Sequence, residues 1–439
     1  MQLRSSWLQY LSLNAVYLGT SFMWNMLHPI VLPLLLLNYG SEQTKNTRLG
    51  VLTFAGYILG MVVQPLAGAL SDRTRHVLGR RRPWVLYGSL AAIASLLLLN
   101  VASSFWMLAA AYLLLQITSN AVIGPCHGLI PDALPEGRRG LAIGLRNLLD
   151  MAGIIGAACC AGFLARTAGA DAPVGLLLAA GLLAGTMLLT TFGSRLARAP
   201  ARPAEAAAAV RSVGEVRELL QVDLRQHVGY WRLLASRFWL LLATSLLLSF
   251  GLYYIQDALR LEDPAGAVSN LMLAIGIPMA LVVVPAGILS ERWGRRGLSL
   301  VGCGLLAVCV VLLSVARSVA TIRALGLLAG VGMGTFVSVN WAWATDLAPL
   351  DQAGKYLGLA NLTTAGTSAL GRLMGPVIDL VNAWHENVGY QLVFLVAAAA
   401  VVAALYQTLR IPETRGPVGA EGVLVRARPG RALATRGKR

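Results

Sequence analysis

The stretch that decides the fold is Val63-Gln-Pro-Leu-Ala-Gly-Ala-Leu-Ser-Asp-Arg73, followed after a short loop by Gly79-Arg-Arg-Arg-Pro83. A long apolar run ends there in Ser-Asp-Arg, and a basic Gly-Arg-Arg turn leads into the next apolar run. The second half of the chain repeats this pattern as Gly287-Ile-Leu-Ser-Glu-Arg292 and Gly294-Arg-Arg296. The sequence therefore contains two copies of one unit, each with a charged loop after an apolar run.

A second set of matched residues supports the same repeat. At one constant separation, Asp132, Pro135, Gly140, Gly144 and Asn147 match Asp346, Pro349, Gly354, Gly358 and Asn361. Matches at two separate places are hard to obtain by chance. They predict two similar bundles related by a pseudo-two-fold axis along the membrane normal.

The composition indicates that most of the chain is not exposed to water. Of 439 residues, 56% are hydrophobic and 13% are charged, whereas a soluble protein carries about 25% charged residues. This excludes a water-soluble multidomain enzyme and a disordered chain. Continuous apolar runs of the length that crosses a bilayer, rather than alternating ones, exclude a closed β-barrel and favour helices.

The apolar runs predict an all-α membrane protein with twelve transmembrane helices in two six-helix bundles. The first run is too long for a cleaved signal peptide, so we expect it to remain as a helix. The predicted spans are 8–37, 48–70, 83–101, 104–129, 140–165, 173–194, 232–258, 267–290, 297–315, 319–345, 354–381 and 387–411.

The basic residues predict the orientation. The net charge of +16 could indicate nucleic acid, but most arginines fall in short loops and tails on one side, as cytoplasmic loops do. We therefore expect a plasma-membrane protein with both termini cytoplasmic, basic loops near anionic lipid, and no nucleic-acid partner. The predicted parts are an N-terminal bundle 1–194, a cytoplasmic linker 195–231 with an amphipathic helix from Val213 to His227, a C-terminal bundle 232–411 and a disordered basic tail 412–439.

These features together resemble the major facilitator superfamily over essentially the whole chain. The first half is more particular: Gln64-Pro-Leu66, Ser71-Asp-Arg73, Gly79-Arg-Arg-Arg-Pro83 and Gly124-Pro-Cys126 resemble the glycoside–pentoside–hexuronide cation symporters, and above all the sucrose–proton symporters. Asn120, Trp24 and Pro33 also stand at similar spacing. The resemblance implies a monomeric secondary transporter that moves a sugar or glycoside with protons by alternating access.

Three positions depart from the pattern of the sucrose symporters. Gln116 stands where they carry the helix 4 aspartate thought to take the proton, and a glutamine cannot titrate. Ile123 replaces a glutamine and His127 an arginine. Proton coupling through helix 4 is therefore not inherited. An uncoupled facilitator or exporter of another small solute stays open, as does a membrane sensor or pigment-handling protein on the same scaffold.

The charged loops predict a conformational latch at the cytoplasmic seam between the halves. The acidic residue of each loop can pair with arginines and helix N-termini, while glycine allows close helix approach. The alternative is that the arginines only follow the positive-inside bias. The predicted latch residues are Gly68, Asp72, Arg73, Arg80, Arg81, Glu291, Arg292 and Arg295.

Ionisable residues inside the spans are candidate coupling groups, because they are costly there. Asp150 is about 15 Å into its helix, and Arg146, one turn earlier, is predicted to form a buried pair with it. Protonation of Asp150 would free Arg146 for the substrate; a purely structural pair is the alternative. His28 is the next candidate, with a satisfied core histidine as its alternative.

Sugar recognition needs hydrogen-bonding groups and aromatic rings within apolar walls. The candidate substrate-binding residues are Tyr17, Trp24, Asn25, Gln116, Asn120, Tyr253, Tyr254, Asn340 and Arg372. Asp257 near a helix end fits an interfacial position, and Asp379 is expected to be simply solvated. There is no phosphate-binding Gly-Lys-Ser/Thr loop or metal-ligand spacing, so we expect no cofactor, no metal and no enzymatic activity.

Overall fold

A computed structural model describes residues 7–134, 136–168, 172–193, 227–316, 318–348 and 353–414. The predicted linker helix up to residue 226 and the tail from residue 415 lie outside these ranges. The predicted boundaries between bundles, linker and tail therefore stay predictions.

Helices account for nearly all of the described chain, and the described residues contain no strand. In the first half they are α1 (Trp7–Met26), α2 (Leu32–Leu37), α3 (Lys45–Arg73), α4 (Arg82–Asn100), α5 (Phe105–Ala133), α6 (Glu136–Ala168) and α7 (Ala172–Leu188). In the second half they are α8 (Val228–Ser249), α9 (Gly251–Asp257), α10 (Pro264–Trp293), α11 (Arg295–Val315), α12 (Val319–Leu347), α13 (Ala353–Arg372), α14 (Met374–Asn382) and α15 (Val388–Leu409).

The prediction of twelve spans is confirmed. Within the described ranges, eleven continuous segments are long and apolar enough to cross a membrane. The remaining span, the eleventh in chain order, consists of α13 and α14, which are separated at Leu373. Pro376 accounts for this break, because it has no N–H to donate to the carbonyl of Arg372 four residues earlier.

The first span of each half is also interrupted. Between α1 and α2 lies a π-helical turn, Leu27–Val31, that contains Pro29. Between α8 and α9 the helix breaks at Phe250, just before Gly251. Such breaks leave backbone carbonyls without helical partners, so side chains from other spans can bind there.

The two ends of the molecule are packed differently. We call the end with loop 74–81 and the turn at Gly294 the basic face, and the other end the opposite face. The largest buried cluster joins both halves towards the opposite face, with members such as Leu36 and Tyr390. Towards the basic face each half has its own buried cluster. The halves are thus packed together at the opposite face and have separate cores at the basic face.

Charged and polar side chains close the opposite face. Lys45 is 4% exposed, and its Nζ lies 2.6 Å from Oδ1 of Asp257 in the other half. Asn46 Nδ2 and the Thr47 backbone N–H donate to the carboxylate of Asp379, at 2.9 and 2.6 Å. Both carboxylates therefore link the halves. Asp257 lies at the end of its helix, as predicted, whereas the prediction of a merely solvated Asp379 is wrong.

Tyr390 connects these two links. Its hydroxyl donates to Asp257 Oδ2 at 2.7 Å and accepts from Asn46 Nδ2 at 3.2 Å. We call Lys45, Asn46, Asp257, Asp379 and Tyr390 the seam network. Their partners are distant in the sequence, so no local pattern could reveal them.

Backbone contacts complete the closure. Tyr253 of α9 donates through its hydroxyl to the Pro33 carbonyl at 2.9 Å. Gly50 of α3 lies so close to the Arg372 carbonyl that a Cβ could not be added, and Gly375 meets the Asn46 carbonyl in the same way. Close packing of α3 against α13 and α14, which form the broken eleventh span, therefore depends on glycine at both positions.

Breaking the seam network should open the opposite face. Lys45→Met leaves Asp257 without its cation, and loss of one partner of a buried ion pair costs about 3 kcal/mol. We expect a wider distance distribution between spin labels at Gln43 and Glu262, which lie on opposite halves of this face. The labels are placed in a background in which the native cysteines are replaced.

The control is Arg260→Gln, which breaks an ion pair with Glu386 at the same face whose side chains are 75% and 83% exposed. Such exposed pairs contribute little, about 0.5 kcal/mol. An unchanged distribution in Lys45→Met would show that the seam network does not hold the halves together.

Candidate functional site

A chain of hydrogen bonds runs through the middle of the first half. His28, in the π-helical turn, has its Nε2 3.0 Å from the Tyr112 hydroxyl. Gln116 donates to the same hydroxyl at 2.7 Å, and Asn120 donates to Gln116 Oε1 at 3.2 Å. Tyr112, Gln116 and Asn120 are successive turns of α5 and share one face. Three predicted site residues are thereby brought together through Tyr112, which the sequence analysis missed.

Glycines of α3 make room for this chain. A Cβ on Gly56 would lie 2.7 Å from the Tyr112 ring, and one on Gly60 would lie 2.8 Å from Asn120 Nδ2. Spacing of four residues places both glycines on the same face of α3. The Gly-x-x-x-Gly pattern was the only available sequence signal for this packing.

Aromatic rings surround His28. Trp24 stacks on the imidazole with ring centroids 4.6 Å apart and planes at 21°. Tyr57 lies 5.4 Å away, centroid to centroid. Across the interface, the Arg372 guanidinium lies 5.7 Å from the Tyr57 centroid. We call the whole group the central cluster; its members are Trp24, His28, Tyr57, Tyr112, Gln116, Asn120 and Arg372.

Arg372 is the only member of the central cluster from the second half. Arg372 is 7% exposed. Its Nη1 donates to the carbonyl of Ser249, which lies at the break after α8, over a distance of 3.5 Å. Its Nε has no hydrogen-bond partner among the described residues. The cluster thus offers a cation, amides and aromatic rings close to where the halves meet.

The predicted contact between Arg146 and Asp150 is not formed. The Arg146 guanidinium instead lies over the Tyr17 ring, 4.3 Å from its centroid. The Asp150 side chain is exposed, while its backbone carbonyl accepts from Ser21 Oγ at 2.9 Å. The prediction of a buried ion pair is therefore wrong. A guanidinium on an aromatic face needs no carboxylate in contact.

Other predicted substrate residues lie outside the central cluster. Asn25 donates to the Ser21 carbonyl of its own helix at 2.9 Å. The Tyr253 hydroxyl donates to the Pro33 carbonyl in the first half. Tyr254 packs edge-on against Phe394, at 5.1 Å between centroids, and lines an apolar cavity of about 100 Å³ within the second half. These residues serve packing in this structure.

Asn340 belongs to a separate polar group around Arg237. Arg237 is 3% exposed and donates from Nη1 to Asn340 Oδ1 at 3.0 Å. Its Nε and Nη2 donate to Thr364 Oγ1 at 3.2 and 3.0 Å, and Trp341 lies under the guanidinium at 4.5 Å. This group joins α8, α12 and α13.

At the basic face, the first charged loop forms a compact cluster. Asp72 pairs with Arg81 at 2.5 Å and Arg80 at 3.6 Å. Asp132, at the end of α5, accepts from both arginines. The hydrogen bond from Arg80 to Asp132 raises the pKa of Arg80 above its ordinary value. All four residues belong to the first half, so the cluster ties α3, the loop and α5 together.

The second charged loop uses different partners. Arg295 pairs with Asp346 at 3.1 Å and also bonds Ser290. The Glu413 carboxylate accepts from the backbone N–H groups of Arg295 and Arg296, both at 2.8 Å. It therefore caps the start of α11.

The remaining predicted latch residues make no contact of the predicted kind among the described residues. Glu291, Arg73 and Arg292 are exposed and form no ion pair with another described residue. A Cβ on Gly68 would still lie 3.7 Å from Gly124, whereas Gly124 itself meets the Gln64 carbonyl too closely for a side chain. Close helix approach is thus required at Gly124 rather than Gly68, and a latch between the halves stays a prediction.

Comparison with known proteins gives a clear match. The family model described as the Major Facilitator Superfamily matches residues 13–371 and 261–437. The chain is 33% identical over 136 residues to the uncharacterized MFS-type transporter YfkF of Bacillus subtilis, covering 31% of this chain and 33% of that protein. It is 30% identical over 112 residues to sucrose transport protein SUT3 of Oryza sativa, covering 20% and 22%. Each match spans a third or less of the relative's length.

Solved structures agree in fold over nearly the whole chain. The nucleoside transporter NupG superposes with a TM-score of 0.71 at 12% identity, covering 92% of this chain and 99% of that one. A D-xylose–proton symporter gives 0.69 at 16% identity, covering 94% and 99%. At these identities the likeness shows the fold alone.

The cluster around Asp72 should stabilise the first half. Asp72→Asn removes the ion pair with Arg81, whose side chain is only 11% exposed. We expect a loss of about 1 kcal/mol, because the pair is partly shielded from water, seen as a lower melting temperature in detergent.

Glu291→Gln is the matched control, since Glu291 occupies the corresponding position without an ion pair. Its melting temperature should equal that of the wild type. Equal values for all three proteins would mean that the Asp72 cluster contributes nothing to stability.

Proposed function

The chain belongs to the Major Facilitator Superfamily and is a transporter rather than an enzyme, and we propose that it carries a sugar or glycoside together with protons. As a multi-pass membrane protein it provides a route for a polar solute only between its two halves. The sucrose transport proteins, the xylose–proton symporter-like protein and the α-glucoside permease among its relatives are named for such solutes. The names of these relatives support the proposal.

The central cluster is the observation that carries the proposal. Sugar hydroxyl groups need donors and acceptors, and the C–H faces of sugar rings need aromatic rings. Asn120, whose amide nitrogen donates to Gln116, supplies its carbonyl oxygen as an acceptor. Arg372 supplies donors, and Trp24 and Tyr57 supply ring faces. These residues come from both halves, so a solute bound among them would contact both halves.

The packing of the two faces supports transport by alternating access. With the opposite face closed, a solute would enter or leave from the basic face, where the halves have separate cores. We assign the basic face to the cytoplasm on the distribution of its arginines, which makes this state inward-facing. Opening the other way would require the seam network to separate.

Proton coupling is assigned to Asp150. It is the one described carboxylate inside the spans away from either face, and it is exposed and forms no ion pair with a described residue. Arg146 is one turn away, and its guanidinium lies over the Tyr17 ring. From there it can pair with the Asp150 carboxylate or bind a substrate oxygen. A proton on Asp150 would therefore change the charge presented beside the substrate route.

An uncoupled facilitator or exporter is the second candidate, and Gln116 favours it. Both ends of its amide are engaged, with Tyr112 and with Asn120. The position that holds an aspartate in the sucrose symporters is therefore a fixed hydrogen-bonding group here. Uptake of radiolabelled sugars into proteoliposomes, with and without a pH gradient, separates the candidates: uptake that ignores the gradient would exclude coupling.

Removing the Asp150 carboxylate should separate exchange from accumulation. Asp150→Asn resembles the protonated form, so it should still exchange substrate across the membrane. It should lose uphill uptake, falling to the level without a gradient, because no proton can be released inside. The measurement compares counterflow with gradient-driven uptake in the same proteoliposomes.

The matched control is Glu262→Gln, which removes an exposed carboxylate at the opposite face and should retain both activities. A variant in which Arg146 and Asp150 are both replaced by leucine tests a structural role. If that variant still concentrates substrate, Asp150 is not the coupling group and His28 becomes the next candidate.

A further inference from the structure

The second half contains an apolar cavity that lies apart from the central cluster. It has a volume of about 100 Å³ and is enclosed by α8, α9, α10, α11, α12 and α15. Among the described residues that line it, only Thr244 and Tyr254 carry a polar side chain. The Thr244 hydroxyl donates to the Leu240 carbonyl of its own helix at 3.0 Å. Because an apolar cavity stays free of water and takes up apolar molecules, this one is suited to an apolar ligand.

The cavity continues towards the opposite face. A smaller cavity of about 30 Å³ adjoins it and shares Ile255, Leu271 and Ile322 with it. Its other lining residues include Leu261, in the loop after α9, and Val319, the first residue of α12. Both positions are at the opposite face, so the smaller cavity forms an entrance there. We call the two cavities together the second-half cavity.

The second-half cavity has the length of one lipid chain. Its lining runs from Ile322 to Met333 on α12 and from Leu240 to Gly251 on α8 and α9, and both stretches advance eleven residues. In a helix that advance corresponds to about 16 Å. One leaflet of a bilayer has a hydrocarbon layer about 15 Å thick, half of the whole core. A single acyl chain of the leaflet at the opposite face would therefore fill this space along its length.

The entrance of the second-half cavity carries a positive charge. Arg323, one turn into α12, lines it together with Asn270, and no acidic side chain is among the described residues of this lining. Arg323 is exposed and makes no hydrogen bond or ion pair with another described residue. Asp263, in the neighbouring loop, instead caps α10 by accepting from the Gly266 backbone N–H at 2.8 Å. An arginine at the end of a span is suited to bind the phosphate of a lipid headgroup.

The second-half cavity also lies behind the helix that closes the opposite face. Gly251 and Ile255 line it and are one turn apart on α9. Tyr253 and Asp257, which contact the first half, lie on the other side of the same helix. A Cβ on Gly251 would meet no atom within 4 Å, so there is open space behind α9.

We propose that the second-half cavity binds one acyl chain of an anionic phospholipid, with the phosphate at Arg323, and that the bound chain supports α9 in the closed position of the opposite face. A chain in the space behind α9 opposes the movement of this helix that separation of the seam network requires. The site contains no residue of the central cluster, so the inference does not depend on which solute is transported.

The first experiment locates the acyl chain. The full chain in phosphatidylcholine nanodiscs receives a trace of phosphatidylglycerol with a photoreactive diazirine on one acyl chain, and mass spectrometry identifies the cross-linked residues. We expect cross-links inside the cavity, at residues such as Ile275, Leu306 and Met333. Phosphatidylcholine with the same label should give fewer. Cross-links confined to the exposed side chains of α10, such as Leu281 and Val284, would overturn the site.

Two glycine variants test whether the cavity holds the chain. Gly251→Leu places a side chain in the cavity and should abolish the cross-links there. Gly304→Leu is the matched control, since a Cβ on Gly304 also meets no atom within 4 Å but Gly304 does not line the cavity. If Gly251→Leu does not fold, Ala329→Leu fills the same cavity from α12. Cavity cross-links that persist in a folded filling variant would contradict the proposal.

A charge variant and a second probe test the headgroup. Arg323→Gln should lower the cross-linking yield of phosphatidylglycerol about fivefold, the effect of one basic residue at a membrane surface, and should leave that of phosphatidylcholine unchanged. Equal yields from phosphatidylglycerol, phosphatidylcholine and a diazirine-labelled fatty acid, unaffected by Arg323→Gln, would overturn the anionic phospholipid as the occupant.

Spin labels at Gln43 and Glu386 measure the effect on the seam network, because they lie on opposite halves of the opposite face and outside the cavity. We expect a narrower distance distribution in nanodiscs that contain phosphatidylglycerol than in phosphatidylcholine alone. In Gly251→Leu the leucine takes the place of the chain, so the distribution should be the same in both lipids. A wild-type distribution that ignores the lipid would overturn the support of α9, even with cross-links in the cavity.

Discussion

A charged side chain inside the membrane must find an opposite charge or hydrogen-bonding partners within the protein. The architecture of this transporter depends on that constraint. Lys45 satisfies it by pairing with Asp257 across the interface, which closes one face. Arg237 satisfies it with neutral acceptors and a ring. Arg372 is left largely unsatisfied at the place where the halves meet. The same physical cost therefore produces a closed seam, an internal brace and a buried guanidinium whose Nε has no hydrogen-bond partner among the described residues.

Breaks in the helices provide the acceptors that this arrangement needs. The first span of each half and the eleventh span are interrupted, and carbonyls near the breaks accept hydrogen bonds at the interface. Pro33 accepts from Tyr253, and Ser249 accepts from Arg372. Irregular backbone is tolerated at membrane depth only where protein or a cavity covers it. The interruptions therefore mark the interface between the halves, where motion between them has to occur.

The two halves share a fold but not a set of interactions. Asp72 completes the basic-face cluster in the first half, while Asp346 and Glu413 do so in the second and Glu291 stays exposed. Duplication explains the common loops. Divergence of the partner residues explains why only the first loop forms a multi-arginine cluster, and why the stabilities of the two halves should respond differently to loss of a loop carboxylate.

The sequence by itself determined the class of protein, the two-fold repeat and the number of spans, because apolar length and repeated loops are local properties of the chain. It also named His28, Gln116, Asn120 and Arg372, since polar groups in mid-span are costly wherever they pack. Only the tertiary structure showed that Asp257 and Asp379 close the opposite face, that Arg146 binds Tyr17 rather than Asp150, and that Tyr112 links the candidate residues. Those partners lie on different helices far apart in the chain, and helical periodicity specifies a face without specifying the neighbour that it meets.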